Sequence, residues 1–302
     1  MILSVSRRCD IPAFFGEWFV NRLKEGFVCV RNPYNRGFVS KILLDPQTVD
    51  CIVFWTKNAA PFLQYLPQIT DMGYRFYIQH TLTPYDSSIE RNIGDKESIV
   101  QTFCALSQRI GKERVIWRYD PILLTSGISV DWHIEKFREM CEKLCDYIET
   151  VVISFLDEYK KLDKVKYKAP NQDEMLAIGK AFAEIAQEYC LRIQTCAEAV
   201  SISGIEKGAC IDKSLIERSC GYPLSTKKDR SQRGECLCAE SIDIGEYDTC
   251  AHFCEYCYAN NRLKTIESKM KAHDPKSPLL IGNLEEGDGI RLRNTFSLRS
   301  LC

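Results

Sequence analysis

Short apolar stretches recur along the first two thirds of the chain, and a helical pattern follows most of them. Several stretches lack polar alternation, which is typical of parallel strands buried on both faces. The predicted strands span residues 2–6, 27–31, 51–55, 75–81, 115–119, 151–155 and 191–196. This alternation predicts an α/β fold built as a βα (TIM-like) barrel, and an open doubly wound sheet is the alternative.

The segments between these strands carry apolar stripes with helical spacing. One stripe consists of Ile99, Phe103, Leu106 and Ile110, and another of Ile134, Phe137, Cys141 and Leu144. Pro12 stands where a first helical turn is expected, a position that tolerates proline. We therefore expect amphipathic helices to cover the sheet.

The composition is that of an ordinary globular protein: of 302 residues, 45% are hydrophobic and 27% are charged. Lys and Arg total 40 and Asp and Glu total 41, so the formal net charge of −1 excludes a strong overall attraction to nucleic acid or anionic membranes. No apolar run reaches the roughly 18–20 residues that cross a bilayer, and the first residues lack the order of a signal peptide. These features predict a cytoplasmic protein with no membrane partner.

The 16 cysteines are distributed unevenly. Half of them fall within residues 196–257, in a polar segment with little periodicity, and such a long loop needs something to hold it, such as a metal. The scattered set, interpreted as small core residues, comprises Cys9, Cys29, Cys51, Cys104, Cys141, Cys145 and Cys190. We predict a barrel body over residues 1–198 and a cysteine-rich iron–sulfur segment over 199–302 that completes and caps the barrel mouth, within one structural domain overall.

Three of the clustered cysteines have a spacing that suits metal chemistry. Cys250, Cys254 and Cys257 follow the pattern Cys-x3-Cys-x2-Cys. Three thiolates this close can hold three irons of a cubane cluster and leave the fourth iron without a protein ligand. A structural zinc site is the alternative, because His252 is available as a fourth ligand.

The motif resembles the signature of the radical S-adenosylmethionine (SAM) superfamily, since Tyr256 precedes the last cysteine and Tyr258-Ala259 follows it. The fuller string is most similar to the spore-photoproduct-lyase-type branch. The resemblance implies a 4Fe–4S cluster whose open iron binds SAM, and an electron, from a donor such as flavodoxin or ferredoxin, that splits the sulfonium into a 5′-deoxyadenosyl radical. The substrate is unidentified.

Two other functions stay open on the same residues. By analogy with the lyase branch, the protein could repair or modify a nucleic-acid base. It could also be a zinc- or cluster-stabilised binding protein without SAM chemistry.

The position of the motif departs from the superfamily pattern, in which it normally follows the first strand. Residues 241–245 could form an eighth strand that ends just before the motif, and a helix over 253–272 would then lead back beside the first strand. That arrangement places the three cysteines at the carboxyl ends of the strands, where barrel sites lie. The layout, with residues 7–12, 54–58 and 118–121, also resembles an uncharacterised bacterial family of unknown function. The Gly-Gly-Glu string that normally holds the SAM amino group is absent from residues 2–10.

Polar residues at the strand ends predict the rest of the site. Those expected at the mouth are Arg7, Arg8, Asp10, Trp55, Thr56, Lys57, Gln79, Thr81, Arg118, Asp120, Gln194, Cys196 and Glu198. Among them we assign catalysis to Arg118, Asp120 and Gln194. Cofactor binding is assigned to Arg7, Arg8, Asp10 and Tyr256, and Arg7, Arg8 or Arg118 could hold the SAM carboxylate in a bidentate pair. Rim salt bridges or loop caps are the alternative for each residue.

A second metal site is predicted on Cys196, Cys210, Cys236 and Cys238, as an auxiliary 4Fe–4S cluster. Cys236 and Cys238 can reach one metal only from an irregular loop, and Cys210 begins a helical pattern that favours a thiolate. Cys220 is the reserve ligand. Zinc at the same four residues and the absence of metal are the alternatives.

Two basic runs complete the sequence signals. They are Lys160, Lys161, Lys164, Lys166 and Lys168, and then Lys227, Lys228, Arg230 and Arg233. A solvated surface is the favoured interpretation, because only Tyr159 and Tyr167 supply aromatic side chains for a nucleic-acid groove. His80, His133 and His273 show no ligand spacing and are interpreted as structural or surface residues.

Overall fold

Eight strands pair in parallel to form the main sheet of this computed structural model, which describes residues 1–158 and 161–300. Their order is β10-β1-β4-β5-β6-β7-β8-β9. The strands are β1 (Ile2–Val5), β4 (Cys51–Thr56), β5 (Phe76–Thr81), β6 (Val115–Ile122), β7 (Thr150–Phe155), β8 (Arg192–Cys196), β9 (Glu206–Gly208) and β10 (Ile242–Asp243). A second sheet, of order β11-β3-β2, contains β2 (Phe27–Arg31), β3 (Phe38–Leu43) and β11 (Gly289–Leu292).

The helices follow the predicted pattern of strand and helix. They are α1 (Ile11–Phe14), α2 (Gly16–Glu25), α3 (Leu66–Asp71), α4 (Lys96–Ile110), α5 (Val130–Leu144), α6 (Gln172–Glu188), α7 (Lys213–Cys220) and α8 (Leu263–Lys271), with 3₁₀ turns at Ala60–Phe62, Lys112–Arg114 and Cys145–Tyr147. Side chains of Asp95, Ser129 and Asn171 cap the amino ends of the three long helices, α4, α5 and α6. The predicted stripe of α4 is buried, which confirms it.

The two faces of the main sheet are covered by different parts of the chain. Residues of one parity along the strands, such as Leu3 and Ile52, pack with α2, α4, α5 and α6 in the largest apolar cluster. Residues of the other parity, such as Ile2 and Val53, pack instead against residues 210–239, which include α7. The cysteine-rich segment therefore lies across the face of the sheet that the large helices leave uncovered.

The late cysteine motif is attached to the first strand. β10 lies within the predicted eighth strand, 241–245, and pairs in parallel with β1, with Leu3 opposite Ile242 and Ser4 opposite Asp243. Gly245 follows so closely that a Cβ on it would lie 2.0 Å from Ser6 Oγ. Only glycine fits this approach, and it brings the next residues to the carboxyl end of β1.

Several sequence predictions are corrected or completed by the structure. Residues 27–31 form a strand as predicted but not a barrel strand, since β2 pairs antiparallel with β3 in the smaller sheet. The last helix is shorter than 253–272, because the motif continues as a loop up to α8. Among the described residues the strand pairing ends at β10 and β9, so a closed barrel stays a prediction.

The segment 199–302 supplies β9 and β10 to the main sheet and β11 to the smaller one. Each sheet therefore contains strands from both the predicted body, 1–198, and this segment. Within residues 1–158 and 161–300, no helix combines the length and the apolar character that crossing a membrane requires.

Candidate functional site

The loop that carries Cys250, Cys254 and Cys257, hereafter the triad loop, is held by the long connection between β5 and α4. Backbone pairing joins Glu90 to Cys254 in an isolated bridge. The Glu255 amide donates to the carbonyl of Ile89 at 3.0 Å, and the Asn92 amide donates to the carbonyl of His252 at 3.0 Å. These bonds fix the backbone of the three cysteines without using their thiols.

The three thiols share one neighbourhood. Burial raises the pKa of Cys250 well above its usual value, and the charges of Asp10, Cys257 and Cys254 raise it further. Burial also raises the pKa of Cys254 to about 12, although the Lys57 ammonium acts in the opposite direction. These two thiols are therefore protonated at neutral pH, and a cation that binds here displaces their protons.

His252 is engaged in other contacts. Its Nε2 lies 2.8 Å from Asp10 Oδ2, and its Nδ1 lies 3.4 Å from the carbonyl oxygen of Asn92. The same Asp10 carboxylate accepts the amide of Lys57 at 2.7 Å and caps α1 through the amide of Ala13 at 2.9 Å. Asp10, predicted to bind cofactor, therefore lies beside the triad loop, with both of its oxygens used in internal bonds.

A buried carboxylate that the sequence reasoning missed stands behind the triad loop. The side chain of Glu90 is 1% exposed. It accepts from Lys57 Nζ at 2.7 Å and from Thr83 Oγ1 at 2.7 Å, and also from Lys96 Nζ and the Tyr256 hydroxyl. The length of the connection between β5 and α4 was the only sequence signal, because a lone glutamate in a loop has no motif.

The charges of neighbouring lysines keep the Glu90 carboxyl group ionised. Burial alone would raise the pKa of Glu90, but the charges of Lys57 and Lys96 outweigh it and lower that pKa to about 2. Tyr256, predicted to contact cofactor, instead donates its hydroxyl to Glu90. Its ring packs in an apolar cluster with Tyr85.

Arg118 and Asp120, predicted as catalytic residues, lie at the end of β6 and form an ion pair. Burial lowers the pKa of Lys57, but the charges of Glu90, Cys254 and Asp120 raise it by more. Asp120 and the triad loop therefore share Lys57 as a neighbour. The other side of the Arg118 guanidinium donates from Nη1 to Cys210 Sγ at 2.5 Å.

The predicted mouth residues Arg7 and Arg8 follow β1. Arg7 lies over the Trp55 ring and 3.4 Å from Asp229 Oδ2. Arg8 donates to the carbonyl of Gly245 at 3.3 Å and lies over the Tyr247 ring. The Arg8 side chain is thus beside the chain that leads from β10 into the triad loop, and the Arg7 amide donates to Asp243 Oδ2 of β10 at 2.9 Å.

The contacts described for Gln194, Gln79 and Glu198 are with residues outside the triad loop. Gln194 meets Arg192 and Glu206 at the β8–β9 edge, and Gln79 donates to the carbonyl of Cys210 at 2.8 Å. Glu198 accepts from Ser154 Oγ at 2.8 Å and from the Phe155 amide at 2.9 Å. These bonds indicate positioning within the sheet, and the catalytic assignment of Gln194 stays a prediction.

Thr56 and Thr81 are the last residues of β4 and β5. None of the contacts described for them reaches the triad loop. Thr56 Oγ1 accepts the amide of Asn58 at 3.0 Å. Thr81 lies opposite Arg118 in the pairing of β5 with β6.

The four cysteines of the predicted second site lie together. Cys196 ends β8, Cys210 precedes α7, and Cys236 and Cys238 come from the following loop. The Sγ atoms of Cys196 and Cys210 are 2.9 Å apart. The reserve residue Cys220 lies elsewhere, since its thiol donates to the carbonyl of Tyr222 at 3.3 Å.

Within residues 1–158 and 161–300, no group of three or more His, Cys, Asp or Glu side chains stands at the spacing that holds a metal ion. In the second set the sulfurs of Cys196 and Cys210 lie 2.9 Å apart, closer than the roughly 3.8 Å between two thiolates on one zinc ion.

The basic runs are partly neutralised where the structure describes them. Lys164 pairs with Glu158 and Arg233 pairs with Asp157. Lys161 donates to the carbonyl of Tyr258 at 2.8 Å. Lys160 and Tyr159 lie outside the described residues. These contacts agree with a solvated surface, and the nucleic-acid groove stays a prediction.

The fold and the site together define an α/β protein with an eight-stranded parallel sheet and two cysteine clusters at its strands. Residues 2–259 match the family model described as a domain of unknown function (DUF1848), so the chain belongs to that family. This agrees with the uncharacterised family that the sequence layout resembles.

Comparison with other proteins adds little to this assignment. No curated protein matches the chain. A solved structure from Bacteroides thetaiotaomicron VPI-5482, provisionally assigned as an alpha-L-fucosidase, is 12% identical, covers 59% of this chain and 73% of that chain, and has a TM-score of 0.26. A likeness at that level carries no argument about fold or activity.

Proposed function

We propose that this protein is a radical SAM enzyme whose Cys250, Cys254 and Cys257 hold a 4Fe–4S cluster with one open iron. The observation that carries the proposal is the pairing of His252 with Asp10. A structural zinc site needs four protein ligands, and His252 is the fourth ligand that the motif offers. Because its ring nitrogens face Asp10 and the Asn92 carbonyl, the triad loop presents three thiols and no fourth ligand of its own.

The donor chemistry of the site fits such a cluster. The three cysteines are half-buried, so each keeps part of its surface accessible. Lys57 supplies a positive charge that favours the thiolate form of Cys254. When bound, the cluster supplies the electron that splits SAM into methionine and a 5′-deoxyadenosyl radical.

The chain's own residues would orient SAM and shape the pocket. Asp120 is the candidate for a polar group of SAM, because its side chain is 26% exposed and shares Lys57 with the triad loop. Arg8 is the candidate for the SAM carboxylate, since its guanidinium lies beside Gly245 at the entry to the triad loop. Glu90 and Tyr256 hold the loop from behind and keep water from its buried side.

Anaerobic reconstitution tests this proposal. The full-length chain, loaded with iron and sulfide, is incubated with SAM and dithionite, and 5′-deoxyadenosine is measured. We expect product from the wild-type chain and from Cys104→Ala, a half-buried cysteine outside both clusters. The triple variant C250A/C254A/C257A should form none. Product from the triple variant, or no product from wild-type chain that holds about four irons, would overturn the proposal.

A further inference from the structure

The four cysteines of the second set meet although three separate segments supply them. Cys196 comes from β8, Cys210 from the turn before α7, and Cys236 and Cys238 from the loop after it. The amide of Ile211, the residue after Cys210, donates to Cys238 Sγ at 3.4 Å. Cys210, Cys236 and Cys238 lie in one buried cluster that Cys196 packs against, and the Cys196 and Cys210 sulfurs are 2.9 Å apart.

The surroundings hold this group in place. Cys210, Cys236 and Cys238 are 5%, 6% and 2% exposed. The Tyr77 hydroxyl and Gln79 Nε2 both donate to the carbonyl of Cys210, at 2.6 and 2.8 Å. The backbone of a buried thiol is thus fixed by side chains from the sheet, as in sites where outer residues orient the ligands.

A guanidinium group contacts the sulfurs. Arg118 donates to Cys210 Sγ at 2.5 Å. Arg7 lies over the ring of Trp55, which packs against the same buried cluster, and its Nη2 is buried without a hydrogen-bond partner in the part of the chain that the structure describes. Four thiolates around one divalent cation carry a net charge of about −2, and the Arg118 guanidinium, which also pairs with Asp120, offsets part of it.

The close approach of the Cys196 and Cys210 sulfurs favours a single ion over a cluster. Two thiolates on one tetrahedral zinc lie about 3.8 Å apart, since each Zn–S bond is about 2.3 Å. The 2.9 Å pair therefore needs to open by about 0.9 Å. A cubane cluster would place four irons and four sulfides between the same thiolates and needs a much wider core. Buried side chains from the sheet and from α7 surround this core and resist such an expansion.

We propose that Cys196, Cys210, Cys236 and Cys238 bind a single zinc ion in a closed four-thiolate site. The ion ties the polar segment between β8 and β10 to the face of the main sheet that the large helices leave uncovered. Zinc replaces the thiol protons when it binds, so the segment is held by metal bonds in place of hydrogen bonds between thiols. The site is separate from the triad loop, and the proposal does not depend on SAM chemistry.

Metal analysis of the full-length chain tests the proposal. Zinc, iron and sulfide are measured in the triple variant C250A/C254A/C257A, which removes the proposed SAM cluster. We expect one zinc per chain in the triple variant. When Cys141→Ser is added to the triple variant the zinc should be retained, and when Cys238→Ser is added it should be lost. Cys141 is the matched control because it is buried but lies on α5. Iron with sulfide in the triple variant would identify a cluster and overturn the proposal, and so would a chain without metal.

A second measurement covers the case in which Cys238→Ser does not fold. The triple variant is loaded with Co²⁺ as the probe, in the absence of other metals. One tetrahedral Co²⁺ with intense thiolate charge-transfer absorption supports four sulfur ligands. A spectrum of six-coordinate Co²⁺ would overturn the site.

Discussion

The two cysteine clusters are assembled in opposite ways. Cys250, Cys254 and Cys257 lie on one continuous loop, whose backbone is pinned to residues 89–92. Cys196, Cys210, Cys236 and Cys238 come from three segments and meet only because those segments pack on one face of the sheet. The first set is half-buried and the second is mostly buried. The first set is thus a local motif on one loop, and the second depends on the packing of segments that are distant in sequence.

Their electrostatic surroundings differ in the same way. Behind the triad loop, Lys57 and Lys96 both pair with the buried Glu90 carboxylate. Beside the second cluster, Arg118 donates directly to the Cys210 sulfur. Arg118 joins the two regions, because it contacts Cys210 with one nitrogen and Asp120 with another.

Removal of the carboxylate behind the triad loop should give the largest change in stability. Glu90→Ala leaves Lys57 and Lys96 unpaired in a buried site, which typically costs about 3–5 kcal/mol in the free energy of unfolding. Urea denaturation measures this cost.

The matched control is Glu97→Ala. Glu97 pairs with Lys143, and their side chains are 58% and 51% exposed, so the cost should be below about 1 kcal/mol. Equal losses for the two variants would show that Glu90 does not hold the triad loop.

The second cluster should bind zinc less tightly when the positive charge of Arg118 is removed. Arg118→Gln keeps the four thiols but removes the charge beside Cys210, so we expect zinc affinity to fall about 10- to 100-fold. Competition with a chromophoric chelator measures the affinity. Arg138→Gln, on an exposed ion pair with Glu188, should leave it unchanged. An unchanged affinity in Arg118→Gln would mean that the guanidinium does not stabilise the site.

The Glu90 carboxylate behind the triad loop should make the stability of the protein sensitive to acid. Glu90 has a pKa of about 2, below its ordinary value of 4.5. Its stabilising effect is therefore complete above pH 4.5 and is lost as the pH falls towards 2, with a slope of at most about 1.4 kcal/mol per pH unit. Unfolding free energies of the wild-type chain and Glu90→Gln, compared across this range, should converge as the pH falls. Parallel curves would contradict the assignment.

The smallest effect is expected at the aromatic residue of the motif. Tyr256→Phe removes one hydrogen bond to Glu90, which keeps its bonds from Lys57 and Thr83, so about 1 kcal/mol should be lost. Thermal unfolding measures the loss. Tyr34→Phe, at a side chain that is 95% exposed, is the control. If Tyr256→Phe instead abolished formation of 5′-deoxyadenosine at unchanged stability, the ring would belong to the cofactor site.

Local patterns account for much of the fold. The apolar runs of β1, β4, β5, β6, β7 and β8 were visible because strands buried on both faces lose polar alternation. The strand over residues 27–31 was visible too, but its partners were not, because β3 and β11 come from distant parts of the chain. Pairing depends on which edges meet, and a strand's own residues do not specify that.

The candidate sites divide along the same line. Cys-x3-Cys-x2-Cys could be recognised because its ligands are close in sequence, and the meeting of the four other cysteines was anticipated from the density of thiols in one segment. Glu90 and its contacts with Lys57, Lys96 and Tyr256 could not be predicted, because they join a loop to three other elements.

The sequence by itself determined the parallel strands, the helices that cover one face and the spacing of the triad loop, because each depends on residues a few positions apart. Tertiary structure alone decided that β2 pairs with β3 in a separate sheet, that His252 bonds to Asp10, and that the sulfurs of Cys196 and Cys210 come within 2.9 Å. These contacts depend on chain segments far apart in sequence, and only packing of the whole chain fixes the distances between them.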